Sequence, residues 1–189
     1  FMALPTFPQY DTQQFVQLGQ IVPQLPPNIS QGSQAQQKQF ANLDVDNVGY
    51  IDVGQILDFY QTFNIPERSA RILLLSLTDK PHLDVETFPI FDYYLNQFAK
   101  SFQQFNCQFL NQEQVEMALK SMNFVLQKNQ INILTKKYGV NDTVNFGQFI
   151  ATCSYLLLCQ RIVKKFDKTG SGKIVLDLQG VINLGMWFV

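Results

Sequence analysis

The chain has 189 residues, of which 46% are hydrophobic and only 15% charged, with a formal net charge of −1. That length suits one compact domain or two small lobes, and the apolar share is ample for a core. The near-neutral balance, with no basic run, argues against nucleic acid or an anionic membrane surface as the main partner, and no apolar run approaches the roughly 18 residues of a membrane span.

Residues 1–32 hold Pro5, Pro8, Pro23, Pro26 and Pro27 with glutamines between them. Such spacing favours extended or polyproline-II backbone. The stretch reads either as a linker or as an arm that docks through Phe7, Tyr10, Phe15 and Leu18. Thr12 to Ile21 has the length for a short helix, with Asp11 or Thr12 as its N-cap.

The body begins with a helical pattern at 33–43, the loop LDVDNVGYIDVGQ, and a second helix at 53–63. The loop starts like an EF-hand: Asp44 and Asp46 stand at its first and third positions, Gly49 at the sixth, Ile51 at the eighth. Calcium wants about 6–8 oxygens, a glycine for the sharp turn, and a bidentate glutamate at the twelfth position. Here the fifth position is Val48 and the twelfth is Gln55. The aliphatic position of Ile51 recurs at Leu83, Leu110, Val144 and Ile174, each time between two helical patterns.

In order, the helix ERSARILLLSL leads to a short loop at Asp79 to Leu83. A long helix follows at 85–105, with Pro89 in its first turn, where proline costs little. The third loop, Asn106 to Leu110, precedes NQEQVEMALKSMNF. The helix KNQINILTKKYG enters the loop Gly139 to Val144, and a second long helix spans 145–166. The last loop, DKTGSGKIVLDL, runs from Asp167 to Leu178, and the helix GVINLGMWFV closes the chain. Cys107, Cys153 and Cys159 show no metal-ligand spacing. An odd number, two of them in an apolar helical stretch, points to buried free thiols and a reducing compartment; the expected place is intracellular, cytoplasmic or cytoskeletal. His82 reads as a surface loop residue, and the Tyr93, Tyr94, Phe98, Phe102 and Phe105 set as a core stripe.

Five helix–loop–helix units, two long shared helices and a proline-containing tail resemble the penta-EF-hand family, which includes the calpain regulatory subunits, sorcin, grancalcin and peflin. The resemblance covers residues 33–189, with hands near 33–63, 66–100, 98–122, 128–160 and 146–189. Its most specific parts are LDVDNVGYID, VEMALKSMNFVLQKNQINILTKKY and KKFDKTGSGKI. It implies an all-α fold with short paired loop strands, in which hand one pairs with two and three with four. In relatives the fifth hands of two chains pair about a two-fold axis. The same is expected here through Lys173, Ile174, Val175, Leu176, Val181, Ile182, Leu184, Met186, Trp187 and Phe188, giving a homodimer, a heterodimer or a place in a larger assembly.

The twelfth positions hold Gln55, Thr87, Gln114, Gln148 and Leu178, and none is acidic. Two loops keep enough oxygens to be candidates for calcium or magnesium. The first offers Asp44, Asp46, the Tyr50 carbonyl, Asp52 and Gln55; the weaker fifth offers Asp167, Thr169, Ser171 and the Lys173 carbonyl. The alternative is that both are metal-free turns held by aspartates bonding their own backbone. The expected function is a non-catalytic adaptor or structural subunit that binds proteins largely without calcium. The rivals are a weak calcium sensor using the first loop, and a regulatory subunit of a calpain-like protease.

Overall fold

Five of the described helices start on a capping box, in which the N-cap side chain and the third helical residue exchange hydrogen bonds with each other's backbone. The structure, a computed structural model, describes residues 26, 28–124, 126–167, 169–171, 174 and 179–180. Its elements are α1 (Gln34–Leu43), β1 (Tyr50–Ile51), α2 (Val53–Phe59), α3 (Glu67–Leu77), β2 (Leu83–Asp84), α4 (Phe88–Gln103), β3 (Phe109–Asn111), α5 (Gln112–Ser121), α6 (Lys128–Tyr138), β4 (Thr143–Asn145) and α7 (Phe146–Phe166).

The strands join the loops in pairs. β1 and β2 are antiparallel with Ile51 opposite Leu83; β3 and β4 are antiparallel with Leu110 opposite Val144. Those four aliphatic side chains are the repeat positions of the sequence, and each is fully buried. The first loop is thus tied to the second and the third to the fourth. α4 leaves the second loop and enters the third, while α7 leaves the fourth loop and runs to the glycine-containing turn after Asp167.

Aromatic side chains fill the space between the two halves. Phe88, Phe91, Phe98 and Phe149 are fully buried. Phe102 lies 5.2 Å from Phe146 and 5.7 Å from Phe149, and Phe63 meets Phe146 edge-on at 5.6 Å. Tyr94, Phe98 and Phe102 are buried, with Tyr93 and Phe105 packed against the core, so the aromatic stripe of α4 is core. Each large side chain taken out of water contributes about 1.5–3 kcal/mol. α3 runs beside α7, with the Ser69 hydroxyl donating to the Gly147 carbonyl at 3.4 Å.

Three expectations need correction. The helix expected at 53–63 stops as an α-helix at Phe59 and tightens into a 3₁₀ turn at Gln61–Phe63. Asn64 then takes a left-handed φ of 46° and Pro66 opens α3; a residue before proline is pushed out of the helical region, so the helix cannot continue through Ile65. The turn stacks Phe63 on Tyr60 at 5.9 Å and delivers it to Phe146. The long helix expected at 85–105 spans only Phe88–Gln103, because Asp84 and Thr87 hold the residues before it in a turn. Finally, α7 has 21 residues and is long and apolar enough by length and composition to cross a membrane; 56% of its most apolar window is buried in the protein, the pattern of a core helix. The helices expected at 12–21 and 180–189 lie outside the described residues, apart from Gly180.

Candidate functional site

The first loop begins where α1 ends. Asp44 occupies the C-cap, with its N–H donating to the Phe40 carbonyl at 2.9 Å. Asn47 and Gly49 then adopt left-handed φ values of 51° and 82°. Glycine reaches this region without penalty and asparagine tolerates it. The curl turns successive N–H groups inward, and a run of such groups makes an anion-binding concavity. The anion is the loop's own. Asp44 Oδ1 accepts from the Val48 N–H and Oδ2 from the Gly49 N–H, both at 2.8 Å, and the residue is buried.

At the other end of the loop, Asp52 is the N-cap of α2. Its Oδ1 accepts from the Gln55 N–H at 2.9 Å, and Gln55 Oε1 accepts from the Asp52 N–H at 2.8 Å. Gln55 Nε2 donates across the loop to the Leu43 carbonyl at 3.0 Å. One neutral amide therefore joins the start of α2 to the end of α1. A closing glutamate in a calcium loop makes that join through the ion.

These donors do not fit a calcium shell as they stand. Both Asp44 oxygens face backbone amides, the Gln55 oxygen faces Asp52, and Val48 supplies no oxygen at the fifth position. Asp46 is exposed. The Tyr50 ring stacks on His82 at 4.4 Å, which makes His82 half-buried rather than a free surface side chain. Among the described residues no group of three or more His, Cys, Asp or Glu side chains converges on one point.

The closing positions of the second, third and fourth hands repeat the capping exchange. Gln114 Oε1 accepts from the Asn111 N–H and Asn111 Oδ1 from the Gln114 N–H, both at 2.9 Å. Gln148 and Asn145 do the same at 2.8 and 2.9 Å. In the second hand Asp84 Oδ1 accepts from the Thr87 N–H at 3.0 Å, and the Asp84 N–H donates to Thr87 Oγ1 at 2.9 Å. Partial burial would raise the Asp84 carboxyl. Hydrogen bonds from Lys80 and Thr87, and the Lys80 charge, outweigh it and hold the group at about 2. In the fifth loop Asp167 Oδ1 gathers the Thr169 N–H at 3.1 Å, the Ser171 N–H at 3.2 Å and the Thr169 hydroxyl at 2.9 Å. Ile174 is half-buried, while Lys173, Val175, Leu176, Val181, Ile182, Leu184, Met186, Trp187 and Phe188 lie outside the described residues.

Two charged residues with structural consequences were not singled out in the sequence. Asp92, half-buried on α4, accepts from Gln36 Nε2 at 2.9 Å, the Tyr60 hydroxyl at 2.7 Å and Asn96 Nδ2 at 3.0 Å, and so ties α1, the end of α2 and α4 together. Burial, then the Asp92 charge and hydrogen bond, push the Tyr60 phenol far above its usual range. A lone carboxylate inside FPIFDYYLNQF was the available signal. Arg161, inside the apolar run of α7, is the other. The thiols carry no site: Cys107 is exposed, Cys153 is buried, and burial raises both the Cys153 and Cys159 thiols.

Paired helix–loop–helix units joined by short antiparallel strands define an EF-hand fold. A solved structure, described as a homolog of programmed cell death 6 protein from Leishmania major Friedlin, shares this fold with a TM-score of 0.53 at 13% identity, covering 87% of this chain and 100% of that one. No family model and no curated protein sequence matches the chain.

Proposed function

We propose that this EF-hand chain is a non-catalytic, protein-binding adaptor or structural subunit whose hands are held without calcium, and that it pairs with a second chain through its fifth hand. The observation that carries the first part is Gln55, whose two ends both bond backbone and close the first loop with no ion. Its equivalents Gln114 and Gln148 are likewise used as helix caps. In calcium sensors, ion binding switches a helix pair open to expose a groove. A loop closed by its own amide has no such trigger, so partner binding is constitutive.

The dimer follows from strand arithmetic. Two loops pair with two others, and the repeat supplies a fifth aliphatic position at Ile174. A strand formed at that fifth position would have no partner left among these four loops, and an unpaired edge invites a second chain. Sedimentation equilibrium in chelator tests this: the wild-type chain should sediment as a dimer or larger species, and Trp187→Asp should shift it to monomer. A monomeric wild type would remove the fifth-hand interface from the proposal.

The retained curl of the first loop, with Gly49 at φ 82° and Asp44 at its head, favours a second reading as a weak calcium sensor. In that reading calcium displaces the Gln55 amide from Asp52 and takes its oxygen.

A further inference from the structure

The second hand keeps a single acidic residue at the head of its shortened loop, Asp79, and its surroundings contain a cation supplied by the protein itself. Arg161 reaches from α7 to the C-terminal end of α3. Its Nη1 donates to the Leu75 carbonyl and, at 2.7 Å, to the Thr78 carbonyl; its Nη2 meets Asp79 Oδ1 at 3.0 Å. Lys165, one turn further along α7, stands 3.6 Å from the same oxygen. The Arg161 side chain is 21% exposed, whereas Asp79 is 64% exposed, so the arginine is the more buried member of the pair.

The last carbonyls of any α-helix lack intrahelical partners and carry the negative end of its dipole. A planar guanidinium with five donors can take several oxygens at once in fixed directions, which an ammonium cannot. In a working hand the metal takes the carboxylate at the first loop position, here Asp79, together with oxygens further along the loop, whereas the Leu75 and Thr78 carbonyls precede that position.

We infer that Arg161 orders the Leu75–Leu83 segment from outside the second loop: it caps the C-terminal carbonyls of α3, holds Asp79 at the loop's first position, and in doing so fixes the C-terminal end of α7 to that loop. The fifth hand departs from that end of α7, five residues past Arg161 at Phe166. The end of α7 and the second loop are thereby joined, although they lie far apart in sequence and no strand pairing links them among the described residues. This holds whatever partner the chain binds and whether or not the first loop takes calcium.

Hydrogen exchange of the full-length chain, read by mass spectrometry, tests the inference. In Arg161→Met, amides of the 75–84 segment should exchange about tenfold faster, the loss expected for charged hydrogen bonds, while the 109–111 and 143–145 strands keep their protection. Arg161→Lys should not restore the segment. Asp79→Asn, which keeps both carbonyl contacts and perturbs the fold least, should loosen the same segment by a smaller factor. In the wild type, millimolar calcium should leave its protection unchanged. An Arg161→Met variant that exchanges like wild type, or one that loosens all segments alike, overturns the inference. So does a rise in wild-type protection of 75–84 on adding calcium, since the segment would then answer to metal and not to arginine.

Discussion

Gln55 shows how the closing residue of a loop held by its own hydrogen bonds, as proposed, would differ from that of a calcium loop. A glutamate is acceptor-only when ionised. It could cap Asp52 but could not donate to Leu43, and it would place a second negative charge near Asp44. Glutamine does both jobs and carries no charge. The same logic explains the abundance of asparagine. Asn47, Asn64, Asn106, Asn123 and Asn141 all sit at positive φ, at helix ends or loop turns that most side chains other than Gly, Asn and Asp avoid. Asp84 makes a pH prediction at this scale. Its folded pKa of about 2 lies below the ordinary carboxylate value of 3.8. Its contribution is therefore present above the unfolded value and disappears as pH falls through the folded one. Melting temperature should drop between about pH 4 and pH 2, and Asp84→Asn should flatten part of that drop. An identical acid limb in wild type and variant would show that the Lys80 and Thr87 contacts add nothing.

At the scale of elements, much was written in the sequence. The aliphatic position repeating from Ile51 to Val144 identifies the four paired strand positions, because a buried two- or three-residue strand needs one inward aliphatic side chain. The capping boxes had a signal that went unused, as Asp52, Asn111 and Asn145 each precede a glutamine by three. The break after Phe59 was not read, since the apolar period runs on through Phe63 and only the later Pro66 argues against it. Nor were the Asp92 and Arg161 clusters, whose partners lie up to 86 residues away in sequence. Close approach of α3 and α7 was equally hidden. It rests on Gly147, where an added Cβ would fall 2.7 Å from Pro66 Cδ. A rigid ring cannot rotate away, so Gly147→Ala should destabilise the chain by about 1–3 kcal/mol, read by urea unfolding. A neutral result would mean that the α3–α7 contact yields easily.

At the scale of the molecule, two pairs of hands are bridged by aromatic packing around Phe102, Phe146 and Phe149, by α4 between the second and third loops, and by Arg161 at the far end of α7. Composition allowed this and little more. The few charges and many amides of the chain become intelligible once closing positions are seen as caps and turn positions as asparagines. The metal candidates Asp44 and Asp52 were found in the sequence, but their roles depended on where their hydrogen bonds go, which spacing does not encode. The proposed function rests on one claim: that backbone and amide hydrogen bonds, rather than an ion, close the first loop.

Thermal unfolding of wild type and Gln55→Glu, each in chelator and in millimolar calcium, tests that claim most directly. A ligand that binds only the folded state at a hundredfold excess over Kd adds about 2.7 kcal/mol. The account predicts the same wild-type Tm in both conditions, and a lower Tm for Gln55→Glu in chelator, where the bond to Leu43 is lost. A wild-type Tm several degrees higher in calcium, or a Gln55→Glu chain as stable as wild type in chelator, would contradict it.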